Sequence, residues 1–260
     1  MATFRVNKNG FLKIETEGET VEIVKKAVFD SFNPDILGLG KIDIKSKQVN
    51  ALSVIFDLEG FTNFCKQIDP HLAVPEYLND FLKWIFEKIR EESILKTYKE
   101  GYSTYADLPF LSKYLGDGIL FLWDTEKMGD ISIRNVVVSM YEVCVKYQTE
   151  FLPIISKKIT SAPIKLRCGI ARGSIYSVGN GNDYVGPCIN MSARLQKLNT
   201  LTFCFSRRGI DPEKMGEGYK DRFVVKRVNI RGIGENELVC FSKIEYDKLE
   251  KPEKEKFIDV

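Results

Sequence analysis

Two aspartates carry the chemistry this sequence offers most directly. Asp57 closes the apolar run Val54-Ile55-Phe56 and is followed by Leu58-Glu59-Gly60-Phe61-Thr62. That pattern reads as a buried strand running into a glycine-containing turn. Asp117 sits in Gly116-Asp117-Gly118, between Lys113-Tyr114-Leu115 and the run Ile119-Leu120-Phe121-Leu122-Trp123. Asp-Gly between two apolar runs is a hairpin signal. A carboxylate at a strand end and another in a neighbouring hairpin can meet across a sheet. With no histidine nearby, the pair suits hard cations such as Mg²⁺. Two cations roughly 3.5–4 Å apart serve in-line displacement at phosphorus, one activating the attacking hydroxyl and one neutralising the leaving phosphates. The residues by themselves leave a plainer reading open, because Asp-Gly is ordinary turn chemistry and a strand-end Asp is often a helix cap.

Two further segments bear on that chemistry. Glu59-Gly60-Phe61-Thr62 would present backbone N–H groups at a helix start, a cradle for a triphosphate that Gly60 lets approach closely. Asn190 and Arg194 lie four apart on a predicted helix and share a face. An Asn can hold a ribose oxygen, and an Arg can meet phosphate oxygens and charge developing in a transition state. The same pair is also an ordinary solvated helix surface.

The elements that must position these residues follow from periodicity. A core strand spans 51–57. Pro75 opens a helix whose Leu78, Phe81, Leu82, Ile85, Phe86 and Ile89 form one apolar face. A loop near 99–109 leads into the hairpin at 111–123. A second helix covers about 131–152, with Ile133, Val136, Val137, Met140, Cys144, Tyr147 and Phe151 inward. Pro163 precedes a strand at 164–170, and the loop Gly179-Asn180-Gly181-Asn182 precedes a helix at about 187–198. Strands near 201–205, 222–230 and 237–243 close the chain. Strand, helix, hairpin, helix, strand is the order of an α+β ferredoxin-like sandwich, a central, mostly antiparallel sheet with helices packed on one face. There the first strand and the hairpin are neighbours, which brings Asp57 to Asp117. Residues 1–48, with Phe11-Leu12-Lys13-Ile14 and a loop around Pro34 and Gly38-Leu39-Gly40, read as an extension packed on the main domain at 49–245. Residues 246–260 read as a charged tail, solvated over Lys248–Lys256.

Composition narrows the function classes. The 260 residues suffice for one large domain, and 44% hydrophobic with 28% charged residues is ordinary for a globular chain. A net charge of +2 argues against a dedicated nucleic-acid or membrane surface. Six cysteines without C-x-x-C pairs indicate neither zinc nor a disulfide framework and suit a reducing cytoplasm. His71, the sole histidine, leaves no His-based triad. Met1-Ala2-Thr3-Phe4-Arg5 lacks a signal-peptide run, and no stretch approaches the ~20 apolar residues of a membrane span.

Four ordered blocks resemble the motifs of class III nucleotidyl cyclases across roughly residues 50–243. They are Ile55-Phe56-Asp57-Leu58-Glu59-Gly60-Phe61-Thr62, Lys113-Tyr114-Leu115-Gly116-Asp117, Leu166-Arg167-Cys168-Gly169-Ile170-Ala171-Arg172-Gly173, and the segment from Asp183-Tyr184-Val185-Gly186 to Asn190-Met191-Ser192-Ala193-Arg194. The resemblance implies that Asp57 and Asp117 bind two divalent cations, Mg²⁺ or Mn²⁺, with the Leu58 carbonyl assisting. It implies that Lys113 and Asp183 contact the base, that Asn190 orients the ribose, and that Arg194 stabilises the transition state. Arg167 and Arg231 match phosphate-contacting positions. It also implies a homodimer whose sites draw the metal aspartates from one chain and the remaining residues from the other.

The chain departs from that pattern in places. Ile55 stands where the family usually has Phe, Tyr114 where a small residue is common, and Arg231 where Lys is usual. A bare catalytic domain, with the wording around Asp57 and the following Asp69-Pro70-His71-Leu72, looks like the pyrimidine cyclases of bacterial Pycsar anti-phage systems, which make cyclic UMP or cyclic CMP. That implies UTP ahead of CTP. Lys113 and Asp183 do not choose the base, since one donor and one acceptor satisfy adenine, cytosine or uracil. Tyr184 either narrows the pocket toward a single-ring base or only packs on the following helix. Ile55 shares the strand face of Asp57 and would line the same pocket. An adenylate cyclase, or a nucleotide-binding module without activity, are the alternative readings.

Overall fold

The computed structural model describes residues 11–16, 19–24, 37–97 and 103–260. The expectations for Met1–Arg5, Pro34 and the loop residues up to 102 lie outside them. The strands are β1 (Phe11–Thr16), β2 (Glu19–Val24), β3 (Gln48–Glu59), β4 (Ile94–Thr97), β5 (Ser103–Tyr105), β6 (Leu111–Tyr114), β7 (Gly118–Asp124), β8 (Lys165–Val178), β9 (Asp183–Val185), β10 (Phe203–Ser206), β11 (Phe223–Ile230) and β12 (Gly234–Ser242). The α-helices are α1 (Phe61–Phe64), α2 (Pro70–Glu92), α3 (Asp130–Lys146), α4 (Leu152–Ile155), α5 (Pro187–Leu195), α6 (Lys243–Lys248) and α7 (Lys251–Lys254).

The chain divides into two compact units. The smaller comprises Met1–Gln48 with Tyr176–Val185. Within it β1 pairs antiparallel with β2 from Phe11↔Val24 to Thr16↔Glu19. The last residues of β8 pair with β9, Val178 opposite Asp183. Backbone bonds from Asn180 N–H to the Leu39 carbonyl (3.0 Å) and from Ser177 N–H to the Lys47 carbonyl (2.9 Å) tie this arm to residues 39–47.

The larger unit holds a mixed sheet in the order β11-β12-β10-β8-β3-β7-β6. Its β8-β3-β7-β6 half is the ferredoxin-like arrangement expected from strand, helix, hairpin, helix, strand. β3 and β7 pair antiparallel from Ala51↔Asp124 to Asp57↔Gly118, and β10 joins β8 in parallel. β3 is buried along most of its length because both of its faces are covered. Its even residues Leu52, Val54, Phe56 and Leu58 enter the core with Phe81 and Ile85 of α2 and Val136 and Met140 of α3.

Several boundaries differ from those read in the sequence. α2 begins at Pro70 and carries Pro75 inside it, because Asp69 in the left-handed region (φ 56°) starts the helix one turn early. Phe86 of the expected apolar face is 49% exposed, although its ring meets Phe121 edge-on at 5.4 Å. α3 runs through a π-helical turn, Tyr147–Phe151, into α4. β4 and β5 form a small antiparallel pair where a loop was expected. Most of the charged stretch Lys248–Lys256 is exposed or half-buried, with Leu249 buried within it. Just beyond it the chain is docked: Phe257 is buried, 4.9 Å from the Phe241 ring, and Ile258 exchanges backbone bonds with Arg227. All six cysteines are free thiols, and among the described residues no helix is long and apolar enough to cross a membrane.

Helix α2 and the π-helical turn after α3 are joined by a polar relay inside the core. The Tyr77 hydroxyl donates to that of Tyr147 at 2.8 Å, which donates to the Pro163 carbonyl at 2.6 Å. Burial pushes both phenols above the usual tyrosine range. Tyr219 is pushed up to about 12 by burial and by its bond to Glu142. Because these folded-state values exceed the unfolded value of about 10, the stabilisation is complete below pH ~10 and is lost as pH rises through the folded values. Phenolate absorbance is therefore expected to show the Tyr77–Tyr147 pair ionising only as the chain unfolds in alkali. Ionisation of both near pH 10 without loss of helical circular dichroism would contradict the buried relay.

Candidate active site

The two aspartates meet because β3 and β7 are hydrogen-bonded neighbours. Asp57 lies opposite Gly118, and the Leu58 N–H donates to the Asp117 carbonyl at 3.0 Å. The hairpin turn is set one residue earlier than the Asp117-Gly118 pair suggested. The Leu115 N–H donates to the Gly118 carbonyl at 2.8 Å, so Gly116 and Asp117 are the turn residues. Gly116 takes φ 93°, which a two-residue turn with glycine first requires. Asp117 is thereby held at the turn's tip beside the end of β3.

A cavity of about 310 Å³ forms there, lined among others by Ile55, Asp57, Asp117, Arg194, Gln196 and Lys197. Ile55 and Asp57 share it as strand alternation requires, and both are 4% exposed. The Asp57 carboxylate accepts from Arg167 Nη2 at 2.7 Å and Nε at 3.2 Å. Lys197 Nζ stands 3.9 Å from its other oxygen. A nearly buried carboxylate is thus balanced by two cations of its own chain, the condition under which burial of the charge is tolerated.

Helix α5 closes this cavity from the face of the sheet opposite α2 and α3, so helices cover both faces where one was expected. The reason is Gly169 on β8. A Cβ there would lie 2.1 Å from the Ser192 carbonyl oxygen and 2.4 Å from the Gln196 nitrogen. The contact is locked by a buried 2.7 Å hydrogen bond between the Ser53 and Ser192 hydroxyls. Gly169→Ala is expected to push α5 away from the sheet and to destabilise the chain by about 1–3 kcal/mol, as overpacking of a filled site does. A midpoint of denaturation unchanged from wild type would contradict this account of how Arg194 is positioned.

The remaining residues named from the sequence are placed as follows. Gly60 adopts φ 87° at the start of the four-residue helix α1, with exposed Thr62 and half-buried Phe61 after it. Lys113 lies on β6 opposite Leu120. Tyr114 is 40% exposed, and burial together with the nearby Asp117 charge pushes its phenol up. Asn190 is exposed one turn before Arg194 on α5. Asp183 and Tyr184 belong to the smaller unit, where the Asp183 carboxylate accepts from the Tyr184 N–H at 2.8 Å. Arg231 is exposed in the turn between β11 and β12. β11 is the sheet edge, four strand spacings (about 19 Å) from β3, so one chain does not bring Arg231 to Asp57. Gln196 and Lys197 were missed by sequence reading. Their only signal was position, just beyond Arg194 at the end of α5.

The side chains lining the cavity include donors that hard divalent cations take: the Asp57 and Asp117 carboxylates are oxygen ligands. Gln196 Oε1, in the same lining, is a buried acceptor with no hydrogen-bond partner. Among the described residues no group of three or more His, Cys, Asp or Glu side chains forms a metal cluster, so the fit rests on this smaller set.

No protein-family model matches the chain, and no curated protein does. Solved structures do. The adenylyl cyclase CyaB from P. aeruginosa superimposes with a TM-score of 0.57 at 14% identity, over 76% of this chain and 96% of that one. The guanylyl cyclase Cya2 gives 0.57 at 17% identity, over 76% and 94%. The guanylate cyclase domain of RhGC from Catenaria anguillulae, in complex with GTP, gives 0.53 at 15% identity, over 75% and 98%. The chain therefore has the fold of these cyclase domains across about three-quarters of its length.

Proposed function

We propose that this protein is a class III nucleotidyl cyclase that converts a pyrimidine nucleoside triphosphate, UTP ahead of CTP, to its 3′,5′-cyclic monophosphate and pyrophosphate. The observation that carries the reading is Asp57 and Asp117 at the ends of paired strands, lining one cavity with Arg194. The cyclase fold supports it.

In this reading Asp57, Asp117 and the Leu58 carbonyl hold two divalent cations, which supply Lewis-acid activation of the 3′-hydroxyl and neutralise the triphosphate. The 3′-oxygen attacks the α-phosphorus and the bond to the β-phosphate bridging oxygen breaks, releasing pyrophosphate. Arg167 leaves Asp57 to take phosphate oxygens, its fixed fork suiting either carboxylate or phosphate. Arg194 stabilises charge on the reacting phosphate and Asn190 holds the ribose. Lys113 and Asp183 read the base edge, the Gly60-Phe61-Thr62 turn cradles the triphosphate, and Arg231 reaches phosphate from a partner chain. The working unit is a homodimer with sites shared between chains, acting in the cytoplasm without nucleic acid or membrane. The product serves as a signal, in the anti-phage role that the Pycsar resemblance implies.

Base choice rests on pocket size. In this reading the base pocket is small, with Ile55 on the Asp57 face of β3 and the Tyr184 ring as the residues that would narrow it. Forcing a purine into a filled pocket costs about 1–3 kcal/mol, roughly ten- to two-hundredfold in kcat/KM. Tyr184→Ala is expected to gain ATP turnover by that factor while UTP turnover is kept. An unchanged preference in the folded variant would reject steric exclusion by Tyr184.

A further inference from the structure

A second cavity, about 710 Å³, is more than twice the volume of the one at Asp57. β8 relates the two. Arg167 at the Asp57 cavity and Arg172 at this one are five residues apart, about 17 Å along the strand, and the odd spacing turns them to opposite faces. Arg172 therefore lies on the α3 side of the sheet, where Asp130 and Arg134 at the start of α3 also border the cavity.

Five cationic side chains converge there: Arg134, Arg172, Arg207, Arg208 and Lys214. Their pairing inside the chain is incomplete. Arg134 is half-buried and, among the described residues, makes no ion pair or hydrogen bond. Arg207 Nε is buried without an acceptor, and its Nη2 is 3.9 Å from Asp211. Lys214 reaches the same Asp211 only at 3.8 Å, and Arg172 reaches Asp130 at 3.4 Å. Arg172 also donates to the Gly209 carbonyl at 3.2 Å, and Arg208 is closely held by the buried Glu237. A buried N–H left without an acceptor is destabilising, and an arginine cannot shed its charge to avoid it.

We propose that this cavity is a second binding site, distinct from the Asp57 cavity, and that it takes a small phosphorylated sugar or polyol. A phosphate group offers the acceptors that Arg134 and Arg207 lack, in the forked geometry guanidinium groups match. The volume is that of a small-molecule site and exceeds what inorganic phosphate fills. Among the described residues no aromatic side chain lines it. Asp211, Glu235 and Asn236 supply acceptors for hydroxyl groups.

Calorimetric titration of the full chain with ribose 5-phosphate and with inorganic phosphate, at ionic strength matched with chloride, tests this. Expected is saturable binding of one ribose 5-phosphate per chain, tighter than inorganic phosphate. Arg134→Gln breaks no bond within the chain and so keeps the fold, yet it is expected to weaken binding about tenfold or more. Arg207→Lys, which keeps the charge and loses the fork, should weaken it as well. Arg194→Gln, at an exposed position bordering the other cavity, should leave it unchanged, which separates this site from the proposed catalytic one. Absence of saturable binding at millimolar concentrations would overturn the proposal. So would an affinity indifferent to Arg134 or one lost in folded Arg194→Gln.

Discussion

Asp117→Ala is expected to lower cyclic-nucleotide formation by roughly a thousandfold or more, about 4 kcal/mol of transition-state stabilisation, while the protein stays folded. Asp117 sits half-buried at a turn tip, where its side chain is not needed for the Gly116 conformation. Its loss should therefore shift stability by no more than about 1 kcal/mol. Asp57 differs. It is 4% exposed and holds Arg167 by two hydrogen bonds, so Asp57→Ala strands a guanidinium as well as removing a cation ligand. Breaking a buried pair costs about 3–5 kcal/mol, less here because the Arg167 side chain remains 18% exposed. Asp57→Asn keeps the volume and is the better probe. Both variants are expected to lose Mn²⁺ binding by calorimetry together with turnover, with native circular dichroism. A folded Asp57→Asn or Asp117→Ala protein that retains turnover would remove the two-metal assignment.

Arg194→Ala is expected to be inactive by itself, and mixing it with inactive Asp117→Ala is expected to restore activity. In a shared-site homodimer, random exchange of the two variants leaves about one site in four with both halves unmutated. A quarter of wild-type turnover after mixing is the expected reading. In a single chain Arg194 already borders the cavity of Asp57 and Asp117. That makes the experiment decisive in both directions. If mixed dimers form and the mixture stays dead, Arg194 serves its own chain and the sharing of sites is wrong.

What could be read from the sequence was the part set by short-range pattern. Apolar runs, a helix face and a hairpin signal gave the order of elements, and that order makes β3 and β7 neighbours, hence Asp57 and Asp117. The turn was displaced by one residue because two adjacent glycines flank Asp117, and only backbone geometry shows which of them is left-handed. Placement of α5 on the second face was not legible, since it depends on the backbone of α5 meeting Gly169 across more than twenty residues of chain. Lys197 as a countercharge to Asp57 depends on the same contact. The cavity at Arg134 and Arg207 draws on α3, β8, the segment after β10 and β12, four stretches with no shared motif. Docking of the chain's last residues was not legible, because Phe257 and Ile258 meet Phe241 on β12 and Arg227 on β11, partners that no local pattern marks.

The most direct measurement is an assay of the purified protein with Mn²⁺ and each of the four nucleoside triphosphates, with products identified by mass spectrometry. Cyclic UMP and pyrophosphate in equal amounts are expected, with cyclic CMP formed more slowly and little cyclic AMP or cyclic GMP. Preference for ATP would overturn the pyrimidine reading and leave an adenylate cyclase. No cyclic product from any of the four, with the chain folded and cation-bound, would contradict the cyclase assignment itself.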